Sequence, residues 1–368
     1  MKIGVPKEIK DNERRVGLVT DNVRELTSLG HEVFVETQAG SGIGITDDVF
    51  EKAGGKIVSD KKSLYGQADL IVKVKEPLDA DMEYLNERHI LFSYLHLAAI
   101  PETGKALLKK GITGIAYETV QLADRSLPLL LPMSEIAGRM SVFLGVNSSR
   151  SDAGGKGLLL SGVPGVAPGR IAILGGGVVG TNAAKVALGL GARVTVLDVN
   201  LARLAYLDDI FQGRVTTLMS NQTNLEKILP ETDLLIGGVL IVGAAAPKLV
   251  KTHQLKLMEK GSVIVDVAVD QGGCIETTRP TSISEPTYVQ EGVIHCCITN
   301  IPATVARTST YSLTNATFPY VRHLAQNGLK GAFEKNPALA LGLNIYRGSC
   351  THPEVATSLG VKYDRPQI

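Results

Sequence analysis

Short aliphatic runs alternate with helix-like segments through residues 1–125. Such apolar runs, bounded by turn residues, are typical of strands. The predicted strands are Met1–Val5, His31–Glu36, Asp69–Val74, Ile90–Leu95 and Ile112–Tyr117. The predicted helices between them are Asn22–Leu29, Asp47–Ala53 and Pro101–Lys110. Strand, helix and strand in succession predict right-handed βαβ units and a mostly parallel sheet.

A second unit of the same kind begins near residue 130. Ser134 can cap a helix that runs to about Asn147, and the Gly/Ser/Asp-rich stretch 148–157 is typical of a surface loop. An apolar, Ala-rich helix is predicted at Val178–Leu190. The predicted strands of this unit are Arg170–Leu174, Arg193–Asp198, Leu234–Leu240, Val263–Val269 and Val293–Ile298.

The pattern changes after residue 300. One long helix is predicted at Thr308–Gly328, shorter helices at 337–343 and 353–359, and no further strand. A helical tail after an α/β unit often packs back on the first domain.

We therefore predict an α/β fold with two doubly wound, Rossmann-like domains. The first domain is discontinuous, with residues 1–128 and 307–368, and residues 129–306 form the second. Long helices near 134–147 and 308–328 would connect the two domains at a hinge.

Composition narrows the class of protein. The 368 residues suit two domains. The chain has 38 Lys and Arg against 37 Asp and Glu, so it lacks the basic excess of a nucleic-acid binder. The longest stretch without Asp, Glu, Lys or Arg is 292–306, which is short of the ~20 apolar residues that cross a bilayer. The start lacks an apolar signal core, so we expect a cytoplasmic protein without a membrane partner.

The four cysteines are expected to be small buried hydrophobic residues. They are Cys274, Cys296, Cys297 and Cys350, and no CxxC pair is present. Adjacent cysteines on a strand point to opposite faces. A disulfide framework or a zinc site is therefore not expected, which fits a reducing compartment.

A glycine-rich turn carries the sharpest local signal. Gly175, Gly177 and Gly180 lie between a predicted strand and a predicted helix, and Asp198 ends the next strand. These glycines allow a tight turn, close approach of a pyrophosphate and close helix packing, and the helix N-terminus favours phosphate. Asp198 can bind ribose hydroxyls and would repel a 2′-phosphate, so NAD is favoured. Arg203 leaves NADP open as an alternative.

Polar residues also follow predicted strands in both units, where open α/β sheets bind ligands. They are Arg14, Arg15, Lys73, Lys75, His96 and Asp270. Each has a simpler interpretation: a solvated lysine, a packed histidine, a turn aspartate, or a surface ion pair of Arg15 with Glu13 or Asp11. Together, cations, an imidazole and a carboxylate suit a small anionic substrate that undergoes hydride transfer with acid–base assistance.

Eight segments together carry a family likeness. They are GVPKEIKDNERRVGL (4–18), VKVKEPL (72–78), YLHLAA (94–99), AYETVQ (116–121), PMSEIAGRMS (132–141), ILGGGVVG (173–180), SVIVDVAVDQGGCIET (262–277) and LTNATFPY (313–320). Across its length the chain resembles the alanine dehydrogenases and the related nucleotide subunit of proton-translocating transhydrogenase. The resemblance implies NAD-dependent, reversible oxidative deamination of L-alanine to pyruvate and ammonia by a homohexamer.

The resemblance also implies roles for individual residues. Arg15 and Lys75 match the groups that bind the substrate, His96 matches the acid/base residue, and Asp270 matches a catalytic carboxylate at the nicotinamide end. The implied cofactor contacts are Ser134, Gly175, Gly177, Val178, Val179, Gly180, Asp198, Arg203, Ser220, Val239, Leu240, Val267, Arg279, Ile298, Asn300 and Ile301. A magnesium site of some family members uses a Glu and a His four residues apart on the helix near 323. This chain has His323 and Asn327 there, so no metal is expected.

Two other functions compete with this one. The transhydrogenase branch lacks a counterpart of His96 and has Glu-Asn-Gly-Gly where this chain has Asp270-Gln-Gly-Gly. A non-catalytic NAD sensor is supported by the loop 299–308 alone, where Ile301, Thr304 and Ala306 depart from the family pattern. The presence of Arg15, Lys75, His96 and Asp270 favours the enzyme.

Overall fold

The computed structural model describes residues 1–239 and 246–366. The chain forms two compact units. The first comprises Met1–Met133 and Val305–Ile368, and the second comprises Ser134–Thr304.

The strands are short and fall into two separate sheets. In chain order they are β1 (Lys2–Val5), β2 (Glu32–Glu36), β3 (Lys56–Val58), β4 (Leu70–Val72), β5 (Ile90–Ser93), β6 (Thr113–Ala116), β7 (Arg170–Leu174), β8 (Arg193–Asp198), β9 (Val215–Met219), β10 (Leu234–Gly237), β11 (Val263–Asp266), β12 (Thr287–Gln290), β13 (Val293–Cys296), β14 (Leu343–Tyr346) and β15 (Ser349–Cys350).

The helices alternate with these strands in both units. In chain order they are α1 (Thr20–Ser28), α2 (Asp47–Lys52), α3 (Lys61–Gln67), α4 (Asp79–Met82), α5 (Pro101–Lys110), α6 (Leu131–Ser148), α7 (Val178–Gly189), α8 (Leu201–Phe211), α9 (Gln222–Ile228), α10 (Thr252–Leu255), α11 (Ala306–Lys335), α12 (Pro337–Leu341) and α13 (Pro353–Leu359).

The first unit has a doubly wound sheet. Its strand order is β15-β14-β6-β5-β4-β1-β2-β3, with parallel pairing from β3 to β6 and antiparallel β14 and β15. The order reverses between β1 and β4. In open α/β sheets, ligands bind beyond the carboxyl ends of the strands at such a reversal.

The second unit repeats this winding. Its order is β12-β13-β11-β10-β7-β8-β9, and β12 is antiparallel to β13. Every residue of β10 and β11 is buried. Strands covered on both faces read as continuous apolar runs, which explains why these segments show no alternation of polar and apolar residues. The predicted class of two Rossmann-like α/β domains is confirmed.

Two short strands contradict the prediction that no strand follows residue 300. β14 pairs with β6, and β15 pairs with β14. β14 contains the buried residue Asn344. Its side-chain amide donates to Thr119 Oγ1 at 2.7 Å and to the carbonyl of Gly342 at 3.0 Å, and these hydrogen bonds compensate for the burial of a polar group. A polar residue in a four-residue strand interrupts the apolar pattern, so β14 was not predicted. β15 was not predicted because it has only two residues.

Several predicted strands continue past the observed strands. β4 ends at Val72 and β5 at Ser93, although Val74 and Leu95 are fully buried. The amides of Val74 and Leu95 donate to the side chains of Glu8 and Glu118 and not to a neighbouring strand. The apolar pattern marks burial, so buried residues just after a strand extend the prediction.

The long helices are close to their predicted bounds. α11 contains a break at Gly328 (φ 64°, ψ −178°), where the predicted helix ends. All four cysteines are buried with free thiols, as predicted. Among residues 1–239 and 246–366, no helix is both long and apolar enough to cross a membrane.

Candidate active site

The predicted substrate residues of the first unit follow neighbouring strands. Arg15 lies in the connection after β1, Lys75 follows β4, and His96 follows β5. Because β5, β4 and β1 are adjacent and parallel, these residues lie beyond the same edge of the sheet. This edge includes the point where the strand order reverses.

Lys75 and His96 are in direct contact. Lys75 Nζ lies 3.4 Å from His96 Nε2, and the ring of Tyr94 stacks on the imidazole with centroids 5.8 Å apart. Burial, and after it the charge of Lys75, lower the pKa of His96 to about 3. An ammonium group can only donate, so Nε2 of the neutral imidazole is the acceptor. The imidazole is therefore a neutral base at physiological pH.

Arg15 is held by a buried carboxylate. Its side chain is 2% exposed, and Nε and Nη2 donate to the two oxygens of Glu13 at 2.7 and 2.5 Å. Nη1 lies 3.1 Å from the sulfur of Met133. Burial opposes the charge of the guanidinium, but Glu13 outweighs it and raises the pKa of Arg15. The alternative interpretation, a surface ion pair of Arg15, is therefore confirmed for Glu13 as the partner, but the ion pair is buried.

Lys73 is not a solvated cation at the rim of the site. It is fully buried, and its Nζ lies 3.2 Å from Glu8 and 3.1 Å from Asp81. Burial opposes the charge of Lys73, but the two carboxylates outweigh it and raise its pKa. Lys73 therefore belongs to a buried ion-pair cluster beneath the site.

Two glutamates of this site had no role in the prediction. Glu118, in a 3-10 turn after β6, accepts from the main-chain amides of Leu95 and His96, and Glu8 accepts from that of Val74. Both lie in segments that carry the family likeness. Glu118 directly follows a predicted strand, which is the signal that could have identified it.

The glycine turn of the second unit has the geometry that its sequence predicts. Gly175 has a φ of 91°, which side chains disfavour. A Cβ on Gly180 would lie 1.8 Å from the carbonyl oxygen of Gly175. Among the described residues, a Cβ on Gly177 would meet no heavy atom within 4 Å, so open space faces the turn there.

Asp198 and Arg203 both contact this turn. Asp198 accepts from the amide of Gly176 at 2.6 Å. Arg203 donates through Nε to the carbonyl of Gly176 at 2.5 Å and through Nη2 to Thr181 Oγ1 at 2.6 Å. Its guanidinium also lies over the ring of Tyr206, 4.6 Å from the centroid. The arginine is thus engaged by the turn itself.

The remaining cofactor residues mostly follow strands of the second sheet. Ser220 comes after β9, Val239 after β10, Val267 after β11, and Ile298, Asn300 and Ile301 after β13. Val178 and Val179 begin α7, and Ser134 lies in α6. Leu240 lies outside the described residues.

Asp270 and Arg279 are exposed in the second unit. Asp270 lies in the 3-10 turn Val267–Gln271 that follows β11. Arg279 stacks on Tyr288, with its guanidinium carbon 4.0 Å from the ring centroid. The amide of Arg279 also donates to Tyr288 Oη at 2.9 Å, so the hairpin strand β12 anchors this arginine.

The chain has two Rossmann-like units. One contains a glycine turn and an acidic strand end, and the other contains a cation beside an imidazole. This combination is typical of a two-domain oxidoreductase. Residues 4–137 match the N-terminal domain of the family described as alanine dehydrogenase/PNT, and residues 141–353 match its C-terminal domain. The chain therefore belongs to the alanine dehydrogenase/PNT family, which confirms the resemblance.

Individual relatives agree with this assignment. The chain is 57% identical over 364 residues to the alanine dehydrogenase of Methanococcus maripaludis, covering 99% of this chain and 98% of that protein. It is 54% identical to that of Staphylococcus haemolyticus, with coverage of 99% and 97%. A solved L-alanine dehydrogenase superposes with a TM-score of 0.95 at 51% identity, covering 98% of this chain and 99% of that one. The transhydrogenase of Sinorhizobium meliloti shares the fold, with a TM-score of 0.80 at 24% identity and coverage of 96% and 99%.

Proposed function

We propose that this chain is an NAD-dependent alanine dehydrogenase that reversibly converts L-alanine to pyruvate and ammonia. The observation that carries the proposal is the contact of Lys75 with a neutral His96 beyond the strands that also lead to Arg15. The proposal is further supported by relatives named alanine dehydrogenase at 51–57% identity over nearly the whole chain.

The second unit fits a dinucleotide. Close packing at Gly180 and, among the described residues, open space at Gly177 suit a pyrophosphate beside the N-terminus of α7. Asp198 would hold the adenosine ribose, and its charge disfavours a 2′-phosphate. When bound, NAD supplies the acceptor for the hydride that leaves Cα of L-alanine.

The substrate carboxylate would be held by two unlike cations. Arg15 offers a planar guanidinium whose orientation Glu13 fixes, and Lys75 offers a point charge beside His96. Fixed cations orient the three-carbon acid before reaction, which lowers the entropic part of the barrier. Asp270 would organise the ammonia and water at the nicotinamide end.

His96 would then act as the general acid and base. Loss of hydride from Cα and of one proton from the amino group to solvent leaves protonated iminopyruvate. Water adds to its C2 while His96 takes a proton from that water, and His96 next returns the proton to the nitrogen. His96 finally accepts the hydroxyl proton as the C–N bond breaks, which gives pyruvate and ammonia. A neutral imidazole is the form that this sequence requires.

A two-direction NADH absorbance assay tests the proposal. We expect NADH to appear with L-alanine and NAD, and to disappear with pyruvate, ammonium and NADH. No signal in either direction would refute the enzyme and favour a nucleotide sensor. Serine, 2-aminobutyrate and glyoxylate in the same assay measure substrate breadth, which the loop 299–308 leaves open.

Replacement of the imidazole tests its assigned role. His96→Ala should lower kcat by about 10²- to 10⁴-fold, because general acid–base catalysis contributes on that order. NAD affinity, measured by fluorescence titration, should stay unchanged because the glycine turn is untouched. Unchanged turnover would contradict the acid–base assignment.

The assembly and location of the protein are also proposed from the family likeness. We propose a cytoplasmic homohexamer that works without a nucleic-acid or membrane partner. Analytical ultracentrifugation of the purified chain tests the hexamer, and cell fractionation tests the compartment.

A further inference from the structure

Two carboxylates bind the main chain at the carboxyl ends of β4 and β5. Glu118 Oε1 accepts from the amide of His96 at 2.6 Å, and both of its oxygens lie 3.2 Å from the amide of Leu95. Glu8 Oε1 accepts from the amide of Val74 at 2.7 Å and lies 3.4 Å from that of Lys75. Each carboxylate therefore binds two consecutive amides, the second of which belongs to a substrate-site residue.

These amides lie at or beyond the end of the sheet ladder. The last hydrogen bond between the two segments runs from the amide of Tyr94 to the carbonyl of Val74, at 3.2 Å. Lys75 directly follows Val74, and His96 lies two residues after Tyr94, so the ladder no longer holds their main chain. The two glutamates supply acceptors at the point where the neighbouring strand stops supplying them.

The backbone of His96 needs such an acceptor. Its φ is 49°, in the left-handed region that side chains other than glycine disfavour. The carbonyl of His96 accepts from the amides of Ala99 and Ile100, so the segment turns sharply here. A residue in this conformation persists only where its surroundings hold it.

We propose that Glu8 and Glu118 are positioning residues, which hold the main chain of Lys75 and His96 so that Nζ and Nε2 stay in contact. This role rests on the proposed function, since it serves the cation and the imidazole of that reaction. Glu8 is itself fixed from the opposite side by the buried ammonium of Lys73, 3.2 Å from Oε2. The buried ion-pair cluster thus supports the substrate cation through Glu8.

Three variants measure this role. Glu118→Ala removes both acceptor oxygens, Glu118→Gln keeps one, and Glu8→Gln changes the other glutamate. We expect kcat for L-alanine to fall by about 10- to 100-fold in Glu118→Ala, because a displacement of about 1 Å has effects of that order. The fall should be smaller in Glu118→Gln and Glu8→Gln. NAD affinity should change by less than about twofold, since the coenzyme site is untouched.

Amide hydrogen exchange provides a readout besides activity. Peptides that contain residues 93–99 should exchange faster in Glu118→Ala and Glu118→Gln than in the wild type. The matched control is Asp233→Asn, which alters a carboxylate that accepts from the amide of Arg170 at 2.7 Å in the second unit. The control should leave both kcat and the exchange of 93–99 unchanged.

A double-mutant cycle separates positioning from general stability. In a His96→Gln background, Glu118→Gln should cause no further loss of kcat, because the imidazole that it positions is gone. A full additional loss, or kcat within twofold of the wild type in Glu118→Ala, would overturn the proposal. If Glu118→Ala fails to fold, Glu118→Gln carries the test.

A wild-type protein without alanine activity would refute the proposed function but would not test the positioning role of Glu118. In that case the amide exchange of residues 93–99 tests the positioning role. Unchanged exchange in both Glu118 variants would overturn the positioning role.

Discussion

The protonation of His96 can be tested with one substitution. Burial and the charge of Lys75 lower the pKa of His96 to about 3. An ordinary histidine has a pKa near ~6.5. Lys75→Gln removes the charge, keeps a side chain of similar length and leaves the burial in place. We expect the imidazole to gain a proton more readily in this variant.

The size of the effect follows from a simple titration. An imidazole with a pKa of ~6.5 is about 76% neutral at pH 7 and about 3% neutral at pH 5, a fall of roughly 25-fold. With a pKa of about 3, His96 stays about 99% neutral over that range. A neighbouring charge shifts a pKa by about 1 to 3. Loss of Lys75 should therefore reduce the neutral fraction at pH 5 to about 50% for a shift of about 2 and to about 9% for a shift of about 3, whereas a shift of about 1 would leave about 90% neutral.

Diethyl pyrocarbonate reacts with the neutral imidazole and so reports this fraction. His96 is partly exposed, so the reagent can reach it. Mass spectrometry of the peptide that contains His96 gives its modification rate at each pH. N-acetylhistidine in the same mixture is the reference compound, whose rate should fall by roughly 25-fold from pH 7 to pH 5. We expect a flat rate for the wild type between pH 7 and pH 5. A fall that matches the reference compound would refute the reasoning.

Three further predictions concern the ion pair and the glycine turn. Glu13→Ala should destabilise the protein by about 3–5 kcal/mol in urea unfolding, because it removes the carboxylate that forms an ion pair with the buried Arg15; a loss below ~1 kcal/mol would contradict this. Gly180→Ala should abolish NAD binding by calorimetry, since its Cβ would overlap the carbonyl of Gly175. Asp198→Gly should raise the NADP/NAD ratio of kcat/KM, and an unchanged ratio would reject its ribose role.

The fold was largely predictable because the central strands of both sheets are parallel and buried. Their strands are apolar, and the connecting helices separate them clearly along the chain, as at β7, α7 and β8. The pattern fails where a strand is short and depends on a distant partner. β14 forms because it pairs with β6, more than 200 residues earlier in the chain. Its buried Asn344 donates a hydrogen bond to Thr119, which lies just after β6.

The candidate site was predictable as a set of strand-end residues. The chemistry between them was less so, because partners come from distant parts of the chain. Lys73 and Lys75 are both strand-end lysines, yet one is buried between Glu8 and Asp81 and the other contacts His96. Only the folded sheet distinguishes the structural cation from the one beside the imidazole.

The contacts of Arg203 have a consequence for coenzyme redesign. A change at Asp198 alone removes a repulsive charge but releases no guanidinium, because Arg203 stays bonded to Thr181 and to the carbonyl of Gly176. Thr181→Ala would remove one of these two hydrogen-bond acceptors, so that the guanidinium of Arg203 could turn towards a 2′-phosphate. An effective switch to NADP in this scaffold therefore calls for paired changes, one at the strand end and one on the first turn of the helix.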